Sequence, residues 1–141
     1  MSAKEYLLKI KYLDICIKQR QEELADCKSK RLMISGTDYS KERVQTSNDG
    51  IGFMKESDRI VDLEKEIEAA IINFNTERNK IINQIQQVDK ATYCEVLYRR
   101  YVKYECFEEI SYRMHLSYNR VIHLHGEALS LFQKMFLIDI S

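Results

Sequence analysis

The stretch Phe107-Glu-Glu-Ile-Ser-Tyr-Arg-Met-His-Leu-Ser-Tyr-Asn-Arg-Val-Ile-His-Leu-His-Gly-Glu-Ala-Leu129 has the pattern of two short helices joined by a three-residue turn. At helical spacing, the apolar face of the first helix comprises Phe107, Ile110 and Met114. The facing positions of the second helix are Val121, Leu124, Ala128 and Leu131. This order predicts a helix-turn-helix, a motif whose ligand is the major groove of duplex DNA.

The turn lies within Met114-His115-Leu116-Ser117, and the second position of this segment usually carries glycine because the backbone there is often left-handed. Histidine is among the few other residues enriched at positive φ, so His115 is compatible with such a turn. We expect Ser117 to cap the second helix by accepting hydrogen bonds from its first free amides.

The start of the second helix carries the candidates for reading base edges, which are Ser117, Tyr118, Asn119, Arg120 and His123. Asn119 suits a bidentate contact with adenine, and Arg120 suits guanine or a phosphate. The phosphate candidates on flanking surfaces are Arg99, Arg100, Lys103 and Arg113. Residues 91–134 carry six Lys or Arg against five Glu, about +1, so one copy should bind weakly and a homodimer would double the contacts.

Composition predicts an all-α protein, because the chain of 141 residues has no proline, four glycines and 31% charged residues. Before the helix-turn-helix, two long helices are expected from apolar residues spaced by threes and fours. The first series is Tyr6, Ile10, Leu13, Ile17, Leu24 and Cys27, and the second is Ile60, Leu63, Ile67, Ile71, Phe74, Ile81, Ile85 and Val88. Helices with one apolar stripe need a partner, so we expect a coiled-coil-like antiparallel hairpin, with pairing between chains as the alternative.

The predicted domains are a helical hairpin at 1–90, with a loop at about 34–55, and a helix-turn-helix domain at 91–141. Three of the four glycines lie in that loop region, and Glu56, Ser57 and Asp58 follow it as expected start signals for the second long helix. Asp89 or Thr92 is expected to cap the helix that begins near residue 90.

Other classes of function find little support in the sequence. The four cysteines are spaced by 11, 67 and 12 residues without a CxxC pair, so a metal site is not expected. Because there is no glycine-rich phosphate loop and no nucleophile motif, we expect neither an enzyme nor a cofactor. No apolar run approaches the length of a membrane span and the start lacks a signal-peptide pattern, which predicts a cytoplasmic protein without a membrane partner.

Several motifs resemble region 4 of sigma-70-type factors. They are Leu97-Tyr-Arg-Arg-Tyr101, Phe107-Glu-Glu-Ile110, Leu116-Ser-Tyr-Asn-Arg-Val121 and Leu124-His-Gly-Glu-Ala-Leu129. More closely, the chain resembles the phage late-transcription regulators of the RinA and ArpU type, found in Gram-positive bacteria and their prophages. Three further segments carry that likeness, namely Ala3-Lys-Glu-Tyr-Leu7, Arg43-Val44-Gln45-Thr46-Ser47 and Ile60-Val-Asp-Leu-Glu64.

The resemblance implies a DNA-binding end that acts on a phage promoter in the bacterial host cell, and it places Ser117, Tyr118, Asn119, Arg120 and His123 at the DNA. Our interpretation is sequence-specific binding of double-stranded DNA for transcription regulation, activating late genes, with the hairpin serving for homodimerisation or contact with RNA polymerase. Two alternatives stay open: a DNA-packaging component resembling a small terminase subunit, and a helical interaction protein that binds no DNA.

Overall fold

The computed structural model describes residues 1–36 and 46–137. Five α-helices and a π-helical turn make up this part of the chain, which contains no strand. They are α1 (Ala3–Gly36), α2 (Thr46–Gln86), α3 (Ala91–Leu97), the π-helical turn (Tyr98–Val102), α4 (Phe107–Met114) and α5 (Tyr118–Phe136). The prediction of an all-α protein with long N-terminal helices is therefore confirmed for the described residues.

The structure differs from the loop expected at about 34–55 at both of its ends, because helix occupies residues that were assigned to the loop. Helix α1 continues through Gly36, and α2 already begins at Thr46. Glu56, Ser57 and Asp58 consequently lie inside α2, and their expected role as start signals is wrong. A glycine in a helix interior lowers the stability of the helix by about 1 kcal/mol, and a helix of 41 residues still forms despite that loss.

The segment that carries the family likeness at Arg43-Val44-Gln45 lies outside the described residues. Its last two residues, Thr46 and Ser47, begin α2.

The chain forms two compact units, one made of Met1–Asp14 with the chain from Phe74 on, the other of Ile15–Asn73. In the first unit, the start of α1 and the end of α2 share one core with α3, α4 and α5. Its fully buried side chains include Leu7, Ile81, Leu97, Val121 and Phe132. The division predicted at residue 90 stays a prediction, and this core includes residues on both sides of it.

Polar contacts in the first unit tie α1 to α5 and α2. The side-chain oxygen of Gln133 accepts a hydrogen bond of 2.7 Å from the backbone N–H of Ala3, and the Tyr6 hydroxyl donates to Gln84 over 2.7 Å. Lys9 and Glu77 form an ion pair of 3.2 Å between α1 and α2. The start of α1 is thereby tied to α5 and to the last part of α2.

In the second unit, α1 and α2 contact each other through a small apolar cluster of Cys27, Ile60 and Leu63. Ion pairs cross between the helices, among them Arg20 with Glu66 and Glu23 with Arg59. As α1 advances from the first pair to the second, α2 recedes, so the two segments run in opposite directions. Ile71, expected on the buried stripe, is instead 37% exposed.

Helix α2 ends before a short turn, and α3 begins after Lys90. The turn is closed by hydrogen bonds from Gln87 N to Gln84 O and from Val88 N to Ile85 O, both 3.1 Å. Lys90 is the N-cap residue of α3, which has no side-chain cap hydrogen bond. The expectation that Asp89 or Thr92 caps this helix is therefore wrong.

Candidate functional site

The turn between α4 and α5 has a left-handed residue at its start. His115 adopts φ 57° and ψ 41°. The Leu116 N–H donates to the Ser111 carbonyl over 3.1 Å and the His115 N–H to the Tyr112 carbonyl over 3.4 Å. These bonds satisfy the last carbonyls of α4 in the manner of a Schellman motif. The expectation that His115 takes the place of glycine in this turn is confirmed.

Ser117 fixes the start of α5. Its backbone is extended, with φ −68° and ψ 156°, and its Oγ accepts a hydrogen bond of 3.1 Å from the Arg120 N–H. The predicted cap is confirmed, and it determines where the first helical turn of α5 begins.

The two helices pack through the faces that the spacing predicted. Ile110 of α4 and Val121, Leu124 and Ala128 of α5 are buried, each 3% exposed or less. Phe107 and Met114 are half-buried against the same core. Leu131 is only half-buried, and the neighbouring Phe132 takes the fully buried position instead.

All five base-reading candidates are brought together on the outer side of the first turns of α5. Ser117, Tyr118, Asn119, Arg120 and His123 are exposed. The Tyr118 ring contacts the edge of Phe107 at a centroid distance of 6.5 Å, which restricts its orientation. Their contact with DNA stays a prediction.

The phosphate candidates are organised by Glu105, which the sequence reasoning did not single out. One oxygen of this carboxylate, which is 9% exposed, pairs with Arg99 Nη1 at 3.4 Å and Arg113 Nε at 3.1 Å. Arg99 Nε also pairs with Glu95 at 3.0 Å, and these carboxylates raise the pKa of Arg99. Two of the four phosphate candidates are therefore engaged within the protein.

The other two phosphate candidates lie over aromatic rings. The Arg100 guanidinium lies 4.2 Å from the centroid of Phe107 and donates to the Glu105 carbonyl over 3.1 Å. The Lys103 ammonium lies 5.8 Å from the Tyr98 ring, and Lys103 is exposed. Arg100 is thus held in place, whereas Lys103 extends toward solvent.

Glu105 lies where it does because of the backbone before it. The π-helical turn closes with a hydrogen bond from Lys103 N to Tyr98 O, and Tyr104 then adopts a left-handed φ of 61°. The Glu105 N–H returns to the Arg99 carbonyl over 3.0 Å. In the sequence, this arrangement is indicated only by an acidic residue that lies among four cations. That pattern does not specify which of the cations the carboxylate contacts.

A second polar group in contact with the aromatic side chains is His125, which is half-buried. Its Nε2 and the Tyr101 hydroxyl are joined by a hydrogen bond of 2.6 Å, and its ring lies 4.9 Å from that of Phe107. Burial, with the nearby charges of Arg100 and Lys4, lowers the pKa of His125 from 6.5 to about 4. Burial raises the pKa of Tyr101 to about 12. Both groups are therefore uncharged at neutral pH.

Known proteins offer no comparison for this site: no model of a protein family, no curated protein and no solved structure matches the chain. Within residues 1–36 and 46–137, no helix combines the length and the apolar character that crossing a bilayer requires.

Proposed function

We propose that the chain is a sequence-specific DNA-binding protein that regulates transcription, and that α4 and α5 form its helix-turn-helix. The observation that carries this proposal is the contrast between the two sides of α5. One side is buried on α4 and the core, while Tyr118, Asn119, Arg120 and His123 are exposed together on the first turns. A capped helix whose exposed N-terminal residues are polar is what enters a major groove in this class of protein.

The exposed side chains have the donors and acceptors that base edges require. The Asn119 amide offers a donor and an acceptor, which match N7 and the amino group of adenine. Arg120 offers parallel donors for guanine. Each bidentate contact of this kind is worth about 1–3 kcal/mol of discrimination, so two of them give useful but modest specificity.

A single copy has little charge with which to attract DNA, since its formal net charge is +0. We therefore propose that the protein acts as a homodimer, or together with RNA polymerase, and that α1 and α2 form the antiparallel hairpin that provides the contact. Exposed apolar side chains support this, among them Leu8 and Tyr12 of the first unit and Val61 of the second. The resemblance to phage late-transcription regulators favours late genes as the target.

The test is a fluorescence anisotropy titration with a duplex enriched by the wild-type protein from a random library. We expect Asn119→Ala with Arg120→Ala to weaken binding by ten-fold or more, because at least one bidentate contact is lost. The matched control is Ser130→Ala with Lys134→Ala, which removes one polar and one cationic exposed side chain from the far end of α5. Equal affinities of the two double variants would overturn the assignment of α5.

Light scattering of the free protein tests the assembly. A dimer is the expected result, because two copies double the phosphate contacts available to each complex. A closed ring of roughly eight or more subunits would contradict the regulator and favour a packaging component.

A further inference from the structure

The three arginines that the sequence pointed to as phosphate contacts already have partners within the protein. Arg99 and Arg113 share the carboxylate of Glu105, and Arg100 is held between the Phe107 ring and the Glu105 carbonyl. An arginine that already pairs with a buried carboxylate gains less from a phosphate, because the first pairing must be given up or shared. Lys103, which extends toward solvent, and cations outside the predicted set are therefore better placed to supply affinity for a DNA backbone.

Lys90 is such a cation, and it lies beside α5 although it precedes α3 in the chain. It is exposed, and its ammonium lies 5.1 Å from the centroid of the Tyr93 ring. The Tyr93 hydroxyl donates a hydrogen bond of 2.6 Å to the Glu127 carboxylate of α5. The Tyr93 ring thereby links Lys90 to the side of α5 that carries Glu127.

That flank also carries Arg120. Residues 120 and 127 are seven apart, two helical turns, so they lie on the same side of α5. Arg120 is close enough to Tyr93 for its charge to lower the pKa of that hydroxyl, although the hydrogen bond to Glu127 raises it more. Lys90 and Arg120 therefore both lie near Tyr93 and the Glu127 carboxylate, on one flank of α5.

We propose that Lys90 contacts a DNA phosphate at the edge of the groove that α5 enters, and that it does so without regard to base sequence. This inference rests on the proposed function. A helix of about 10–12 Å diameter fills a major groove of about 12 Å, so its flanks face the two phosphate backbones. The Tyr93 ring holds the ammonium through its face, and the N–H donors of Lys90 that point away from the ring can bind phosphate oxygens.

The experiment compares salt dependences of binding, measured with the enriched duplex and with an unrelated duplex of the same length. Removing one phosphate contact reduces the slope of log K against log salt by about 0.9, and lowers affinity roughly eight-fold at 0.1 M salt. We expect Lys90→Gln to show both effects equally on the two duplexes. Lys90→Arg, which keeps the charge, should restore the wild-type slope.

Lys134→Gln is the matched control, because Lys134 is an exposed lysine in the last turn of α5. It lies 14 residues after Arg120, about 21 Å along the helix. It should leave the slope within about 0.3 of the wild-type value. Unchanged slope in Lys90→Gln, or the same loss in both variants, would overturn the role of Lys90. Failure of the wild-type protein to bind either duplex would instead overturn the proposed function.

Discussion

Stability should fall as the pH drops from 6.5 toward 4, because the fold holds the half-buried His125 in its neutral form. An unfolded histidine binds its proton near pH 6.5, whereas folding lowers the pKa of His125 to about 4. The contribution of this group is therefore fully present above pH 6.5 and is lost as the pH falls through that window. At 1.36 kcal/mol per tenfold change, and allowing for partial exposure of the ring, the loss by pH 4.5 is about 2 kcal/mol.

Urea unfolding between pH 7.5 and pH 4.5 measures this loss. The informative quantity is the difference in unfolding free energy between wild type and His125→Gln, because carboxylates titrate in both proteins and cancel. We expect that difference to shrink by about 2 kcal/mol over the window. His123→Gln, at an exposed histidine of the same helix, should leave the wild-type pH profile in place. If His125→Gln has the wild-type profile as well, the reasoning is refuted.

Substitutions at three further positions test the turn and the cluster beside it. Ser117→Ala should cost about 1 kcal/mol in thermal unfolding through loss of the cap, while Ser117→Thr retains most of it. His115→Gly should be neutral or stabilising by up to about 1 kcal/mol and His115→Val destabilising, because the backbone there is left-handed; the opposite order would contradict the assigned φ. Glu105→Gln should lower the free energy of unfolding by about 1–3 kcal/mol, since two arginines lose their shared carboxylate. An unchanged melting temperature would show that the pairing of Glu105 with its two arginines does not stabilise the fold.

The elements that the sequence predicted well are those defined by local chemistry. The cap at Ser117, the left-handed residue at His115 and the contact of Ile110 with the core depend on neighbours within a few residues, so order and spacing suffice. Local spacing does not determine which residue lies at the centre of an apolar stripe. Phe132 rather than Leu131 is fully buried, because the direction of the core depends on α1, whose Tyr6 ring lies 5.9 Å from that of Phe132.

The features that the sequence could not predict depend on unusual backbone conformations that no local residue pattern indicates. The π-helical turn and the left-handed Tyr104 direct Glu105 inward to its two arginines, and aromatic residues rarely adopt positive φ. The position of Lys90 beside α5 depends likewise on the turn that ends α2. These features belong to the three-dimensional arrangement of the first unit and decide which cations remain available to a ligand.

A map of the residues that respond to DNA tests directly whether the start of α5 binds it. Amide chemical shifts of the ¹⁵N-labelled protein would be followed while the enriched duplex is added. We predict that the largest changes fall on residues 117–123, with a smaller group around Lys90 and Tyr93. Changes confined to α1 and α2, or no change at a DNA concentration well above that of the protein, would contradict the account.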